Sequence, residues 1–153
     1  MLAVCPLDSS SPELSAICAD PYVSRVGHDH RACSPIDHPA VRYLGAYVGG
    51  ALVGAFAVVE SSWIELDLHA LLTRKALPHC RELGRKCLAF VFREPLIQRV
   101  TAYVIEGLES ARNYCLKLGF KAEGFRRCAV QRDGALFGVH VLGLTRADWE
   151  AVQ

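Results

Sequence analysis

Apolar and polar side chains alternate between Ile64 and His69. The apolar positions are Ile64, Leu66 and Leu68, and the polar positions are Glu65, Asp67 and His69. Because successive side chains of a strand point to opposite faces, this pattern predicts a strand over Trp63–Leu72 with three ionisable groups on one face. A polar face is unusual for a core strand, so these three groups are candidate functional residues.

A helical pattern follows this strand. After a short basic connection, apolar residues recur at helical spacing, namely Leu83, Cys87, Leu88, Phe90, Val91 and Phe92. They predict a central helix over Pro78–Phe92, which Pro95 brings to an end. The next segment, Arg99–Ile105, is apolar through most of its length, as expected for a strand covered on both faces. The predicted order is a strand, a loop suited to binding an anion, a helix and a second strand.

The first part of the chain predicts two helical turns and a hairpin. Ser11 before Pro12 is a typical helix start, so we expect a helix to about Ala19 and another helical turn over residues 22–26. The runs Val41–Val48 and Leu52–Glu60 flank Gly49-Gly50. Since glycine adopts positive φ readily, this pattern predicts a hairpin, which continues into the strand at 63–72 as an antiparallel meander.

The last part of the chain predicts a helix and a second hairpin. Residues 108–118 have a helical pattern that Gly119 closes, because the residue after a helix often needs positive φ. Phe120–Val130 and Gly138–Leu144 form the hairpin around Asp133-Gly134. The predicted order is αα-βββ-α-β-α-ββ.

Composition excludes several classes of protein. The chain has 153 residues, which predicts a single domain over 1–153, and a net charge of +1, which does not favour nucleic-acid binding. It contains no apolar run long enough for a membrane span, and its N-terminus lacks the regions of a secretory signal. Seven scattered cysteines indicate reduced thiols, so we expect a cytoplasmic protein.

One loop carries potential metal ligands. These are His28, His30, Cys33 and His38. Imidazole and thiolate are the donors that zinc prefers, but this spacing fits no common zinc site. Asp and Pro residues interleave with the potential ligands, which is typical of a solvated loop. We therefore expect a polar loop and no metal.

Three stretches resemble the GNAT superfamily of acyl-CoA-dependent N-acetyltransferases. They are LVGAFAVVE, ARNYCLKLGFKAEGFRR and LGLTRADW, and the second contains Leu118-Gly119-Phe120 followed by Glu123-Gly124. The predicted element order is also similar to that of the family along nearly the whole chain. ELDLHALL and DGALFGVHVLGL further resemble small GNAT-like proteins of tailed phages.

The resemblance implies an α/β (α+β) fold. Its sheet is mixed and mostly antiparallel, has six or seven strands, is flanked by helices, and is splayed between the fourth and fifth strands, here 63–72 and 99–105. The implied reaction moves an acetyl group from acetyl-CoA to a primary amine of a small molecule or protein. The pantetheine arm of the cofactor would enter the splay, and the loop before the central helix would hold its pyrophosphate.

The resemblance also assigns roles to residues. His69 would be the base, because its unperturbed pKa lies near neutrality, and Glu65 and Asp67 share its face. Tyr114 would be the acid, although the family's tyrosine corresponds to Cys115, and the alternative is a Tyr114 that only packs. Cys115 could donate a proton weakly, and its alternative is a buried structural thiol. The residues implied to contact the cofactor are Ala70, Leu71, Leu72, Arg74, Lys75, Ala76, Leu77, His79 and Asn113.

The sequence departs from the family at several of these positions. The loop register Arg74–His79 contains none of the glycines that let backbone approach phosphate, and Pro78 lacks an amide. A second register, Arg81–Lys86, keeps Gly84 but starts late. The family's polar residues are replaced at Leu108 and Gly138.

Two hypotheses therefore remain open. The first is an acetyltransferase, which the polar face and Arg74-Lys75 favour. The second is a GNAT fold without catalysis that assembles with other chains, as a homo-oligomer or with phage structural proteins in a virion, which the departures favour. In the second case the polar face would meet solvent or a partner chain, and Arg74 and Lys75 would be solvated surface bases.

Overall fold

The computed structural model describes residues 1–25 and 33–153 of the chain. Its strands and helices, in chain order, are β1 (Leu2–Leu7), α1 (Pro12–Ala19), α2 (Pro21–Ser24), β2 (Val41–Val48), β3 (Ala51–Glu60), β4 (Glu65–Leu72), a 3₁₀ helix (Arg74–His79), α3 (Cys80–Val91), β5 (Arg99–Ile105), α4 (Glu109–Lys117), β6 (Lys121–Arg132), β7 (Ala135–Thr145) and α5 (Arg146–Ala151).

The seven strands form one sheet in the order β1-β2-β3-β4-β5-β7-β6. All neighbours are antiparallel except β4 and β5, which are parallel. A parallel pair needs a crossover, and α3 supplies it. The predicted mixed, mostly antiparallel sheet with flanking helices is confirmed.

Each face of the sheet has its own core. The larger core contains Phe56, Val58 and Leu66 from the strands, with Leu83 and Leu88 from α3. On the opposite face, α1 and α2 bring Leu14, Ile17 and Val23 against Ala55 and Ala57. Because β3 contributes alternate residues to both cores, its sequence is almost continuously apolar.

Side-chain caps begin the first two helices, and the cap at Ser11 is the one that was predicted. The Ser11 hydroxyl accepts from the Leu14 amide at 3.4 Å at the start of α1. Asp20 accepts from the Tyr22 amide at 2.9 Å and so begins α2. Gly49 and Gly50 have φ of +57° and +84°, which lets β2 and β3 join by a tight turn.

Three elements differ from the prediction. β1 was not predicted; it is an edge strand, where Pro6 is tolerated because an edge residue can do without an amide donor. α5 was also not predicted. The expected loop before the central helix is instead a 3₁₀ helix that runs directly into α3, so α3 begins at Cys80 rather than Pro78.

The sequence predicted neither a membrane-spanning helix nor a metal site. Within residues 1–25 and 33–153, no helix has the length and apolar character required to cross a bilayer. Of the potential metal ligands, His28 and His30 lie outside the described residues. His38 accepts a hydrogen bond from the Ala40 amide, and the described residues contain no cluster of three metal-ligating side chains.

Candidate active site

A cleft opens where β4 and β5 part. The two strands pair only at Glu65–Arg99, Leu66–Val100 and Asp67–Thr101 in the described chain. Beyond these pairs β4 stays bonded to β3 as far as Leu72, and β5 stays bonded to β7 as far as Ile105. Each strand therefore keeps its outer partner while the inner edges separate. The predicted splay between the fourth and fifth strands is confirmed.

The cleft is an apolar slot with a volume of about 200 Å³. Its strand walls are His69, Ala70 and Leu71 from β4 and Tyr103, Val104 and Ile105 from β5. The helix side is formed by Gly84, Leu108, Ala111, Tyr114, Cys115 and Leu118. The few polar groups of the lining are therefore His69 and Tyr103 on β4 and β5, and Tyr114 on α4.

His69 lies at the mouth of the cleft and is exposed to solvent. Surrounding protein atoms lower the pKa of its imidazole by desolvation, and the nearby Asp67 carboxylate opposes this shift. The net direction is downward, so His69 is neutral at pH 7. A neutral imidazole at an open cleft can accept a proton from a substrate.

Asp67 is the partner of His69 on the same face of β4. Its Oδ1 atom is buried and has no hydrogen-bond partner among the described residues. Burial raises the pKa of this carboxyl, and the charge of Glu65 raises it further. The polar face predicted from the alternation is therefore present, with Asp67 between Glu65 and His69.

Glu65 is held in an ion-pair network at the closed end of the cleft. Its Oε2 accepts from Arg99 Nε at 3.1 Å and from the Thr101 hydroxyl at 2.5 Å. Arg99 also pairs with Glu123 of β6, and this contact raises the pKa of the guanidinium. Glu65 is thus a structural partner of Arg99. Asp67 is the last β4 residue that pairs with β5, and His69 lines the open part of the slot.

Tyr114 lies on the helix side of the cleft. Its hydroxyl donates to the Cys80 carbonyl at 2.9 Å, and burial strongly raises the pKa of the phenol. Cys115 also lines the cleft, and burial raises the pKa of its thiol to about 11. Both groups keep their protons at neutral pH, and the hydroxyl proton of Tyr114 is directed at a backbone carbonyl.

Gly84 explains how Tyr114 reaches this position. It lies inside α3, so the second loop register, Arg81–Lys86, is helical. A Cβ at Gly84 would come within 2.8 Å of a Leu118 methyl and closer still to the Tyr114 hydroxyl. The glycine therefore makes room for Tyr114 beside Cys80.

The 3₁₀ helix occupies the place predicted for the pyrophosphate loop. Its Ala76 amide donates to the Thr73 carbonyl at 3.0 Å, the Cys80 amide donates to Leu77, and Pro78 has no amide. Leu77 is 39% exposed and neither it nor His79 lines the cleft, so neither plugs the opening. These backbone donors are therefore already used within the helix.

Positive side chains gather at this end of β4. Arg74 and Lys75 are exposed, and the Arg74 guanidinium lies 4.7 Å from the centre of the Tyr22 ring. Arg25 lies over the same ring at 3.6 Å. Sequence reasoning found Arg74 and Lys75 but missed Arg25 and Tyr22, because nothing local links α2 to the residues after β4.

The remaining predicted cofactor residues divide between the cleft and its surroundings. Ala70 and Leu71 line the slot, whereas Leu72 and Ala76 are buried in the larger core. Asn113 is exposed on α4, outside the cleft lining. Sequence reasoning also missed Tyr103, because Arg99–Ile105 was predicted to be covered on both faces, whereas Tyr103 is 37% exposed.

Comparison with solved structures identifies the architecture. The spermidine N-acetyltransferase from Vibrio cholerae, solved in complex with CoA and spermine, aligns with a TM-score of 0.80 over 97% of this chain and 98% of that chain, at 12% identity. The acetyltransferase of GNAT family from Streptococcus pneumoniae aligns with a TM-score of 0.73 over 95% and 99%, at 13% identity.

Sequence comparisons add nothing further. No model of a protein family matches the chain, and no curated protein matches it. The structural likeness covers nearly the whole length of both neighbours and includes known N-acetyltransferases. This chain therefore has the GNAT fold, as its sequence resemblance predicted.

Proposed function

We propose that this chain transfers an acetyl group from acetyl-CoA to a primary amine, of a small molecule or a protein. The observation that carries the proposal is the separation of β4 and β5 beyond Asp67 and Thr101. The separated strands expose unpaired backbone edges to an apolar slot. A flexible, amide-containing arm such as pantetheine suits such a slot, because strand edges supply hydrogen bonds and the walls exclude water.

His69 supports the chemical step. The amine nitrogen attacks the thioester carbonyl carbon, and the carbon–sulfur bond breaks to release the CoA thiolate. His69 accepts the proton that the amine loses, because its lowered pKa keeps the imidazole in the unprotonated form at neutral pH. Asp67 stabilises the imidazolium that results, because its charge raises the His69 pKa.

Tyr114 is the proposed proton donor to the leaving thiolate. It lines the cleft opposite the sheet, which supports the role, but its proton is bonded to the Cys80 carbonyl. Donation requires the hydroxyl to rotate from that carbonyl toward the slot. Cys115 is the neighbouring alternative and is more deeply packed.

Arg74 and Lys75 are the proposed partners of the cofactor's phosphates. Both are exposed directly after β4, and Arg25 adds a third positive charge through the shared contact with Tyr22. Because the Ala76 and Cys80 amides are occupied and Pro78 has none, these side chains would supply the charge that a glycine loop supplies through its backbone. The CoA complex of the Vibrio cholerae neighbour supports a CoA ligand for this fold.

A second candidate function is assembly with other chains without acyl transfer. It is favoured by the Ala76 and Cys80 amides, which are already bonded within the helix, and by Pro78, which has no amide. The exposure of Trp63 also favours it. This side chain is 88% exposed, and tryptophan is enriched where proteins bind one another. In this case the cleft would be a feature of the fold without a role in acyl transfer.

Calorimetric titration with acetyl-CoA separates the two functions. The acetyltransferase proposal predicts saturable binding in the micromolar range. Titration with free pantetheine is the matched control, because it tests the slot without the phosphates. Absence of heat with millimolar acetyl-CoA would contradict the proposal and favour assembly.

A further inference from the structure

Two of the seven free thiols lie side by side on the face of the sheet opposite α3. Cys18 is on α1 and is 1% exposed in the smaller core, and the partly buried Cys33 packs against that same core. Their side chains are within hydrogen-bonding contact, and burial together with this contact raises the pKa of Cys18 to about 12. Neither thiol belongs to the cleft.

Each thiol belongs to a segment that contacts the sheet. Cys18 belongs to α1, whose Leu14 and Ile17 are buried against β3. The segment after Cys33 is fastened to β2, because the Ile36 amide donates to the Tyr43 hydroxyl at 2.8 Å. Tyr43 belongs to the same core as Cys18, and Cys33 packs against that core. The sulfurs are therefore brought together by two elements that pack on the same strands.

We propose that Cys18 and Cys33 are a redox pair whose oxidation to a disulfide joins α1 to the segment before β2. The bond would close a loop that contains α2. Because the Tyr22 ring of α2 contacts Arg74, the same bond restrains the segment that positions a positive charge beside the end of β4. The site is separate from the proposed acetyl transfer and stands without it.

The chemistry is thiol–disulfide exchange with a small disulfide such as oxidised glutathione as the oxidant. The partly exposed Cys33 attacks first, forms a mixed disulfide and releases one glutathione. The Cys18 thiolate then attacks the Cys33 sulfur and releases a second glutathione. The two protein thiols lose two electrons and two protons, and one oxidised glutathione becomes two reduced molecules.

Mass spectrometry of the full chain tests the pair. Cys5→Ser removes the only other thiol of the tryptic peptide 1–25, so a cross-link between peptides 1–25 and 32–42 reports Cys18–Cys33 alone. The reduced variant is incubated with oxidised glutathione, quenched with acid and alkylated. We expect the loss of two hydrogen atoms, this cross-linked peptide, and a higher Tm that dithiothreitol reverses.

Matched cysteine variants decide the outcome. Cys128→Ser removes an exposed thiol outside the pair and should leave the cross-link unchanged, whereas Cys33→Ser should abolish it. Because Cys18 is buried, Cys33→Ser is the safer of the two pair variants. Stable glutathione on Cys33 without the cross-link would overturn the proposal, as would alkylation of both thiols after oxidation.

Discussion

At the scale of single residues, the environment of His69 decides what it can do. Its imidazole is open to solvent at the cleft, is partly desolvated by the surrounding protein, and has Asp67 as its charged neighbour. Asp67 in turn has one buried oxygen with no partner in the described part of the chain. His69 is therefore accessible for proton transfer, and Asp67 is the charged group beside it.

The His69→Ala variant tests the base. General-base catalysis contributes about 10²–10⁴-fold, so we expect the turnover of acetyl transfer to fall by at least about 100-fold. Acetyl-CoA affinity measured by calorimetry should change little, because the imidazole acts on the acceptor. His38→Ala, at an exposed loop histidine, is the control. Unchanged turnover in His69→Ala would remove His69 from the role.

The pH dependence of turnover tests the coupling to Asp67. At saturating amine, kcat should rise with pH as His69 loses its proton, with a midpoint below the usual histidine pKa because desolvation lowers it. The Asp67 charge raises the His69 pKa, so Asp67→Asn should move this midpoint to lower pH. Glu60→Gln, an exposed carboxylate at the end of β3, should leave it in place. A midpoint that moves upward in Asp67→Asn would contradict the assignment.

At the scale of elements, α3 and α4 approach each other at a glycine. Gly84 lets the Tyr114 hydroxyl reach the Cys80 carbonyl in the first turn of α3. Glycine inside a helix is unfavourable by about 1 kcal/mol relative to alanine. Its presence at a fully packed contact indicates that the position of Tyr114, and hence the helix wall of the cleft, depends on it.

Gly84→Ala should therefore destabilise the protein although it improves helix propensity. The added methyl would overlap the Tyr114 hydroxyl and a Leu118 methyl. Overpacking costs about 1–3 kcal/mol and the better helix propensity returns about 1 kcal/mol, so we expect a net loss of up to about 2 kcal/mol in the free energy of unfolding by urea denaturation. The loss should shrink in a Tyr114→Phe background, which lacks the nearest atom. A more stable Gly84→Ala variant would show that the contact is loose.

At the scale of the whole molecule, the pairing on the outer edges of β4 and β5 keeps both strands in the sheet on either side of the cleft. β3 holds β4 and β7 holds β5 through the region where the two inner edges separate. The Glu65–Arg99–Glu123 network joins β4, β5 and β6 at the closed end. The sheet thus presents a slot without a break in its outer pairing.

Filling the slot should abolish acetyl-CoA binding while the fold persists. Acetyl-CoA at 100 times its Kd stabilises a native protein by about 2.7 kcal/mol, which raises Tm by about 5–10 °C for a chain of this size. Ala111→Phe places a ring in the cleft, so the ligand-dependent rise should disappear. Ala89→Phe, on the exposed side of α3, is the matched control and should retain the rise. A retained rise in Ala111→Phe would place the ligand elsewhere.

The sequence by itself determined the features that depend on neighbouring residues. The alternation over Ile64–His69 placed the polar face on β4, Ser11 and Pro12 marked the start of α1, and the predicted bounds of β5 are those observed. Three short stretches, one of them around Gly119, together with the predicted order of elements indicated the fold. These features are encoded locally, because helix and strand periodicity and turn conformation depend on residues close in sequence.

Only the tertiary structure decided the features that depend on distant residues. It joined Glu65 to Arg99 and Glu123, set the direction of the His69 pKa shift, used the amides of the 3₁₀ helix and brought Cys18 beside Cys33. It also added β1, whose short apolar run contains Pro6 and becomes a strand only because β2 offers it an edge. Desolvation, ion pairing and strand pairing arise between segments far apart in sequence, so local patterns could not reveal them.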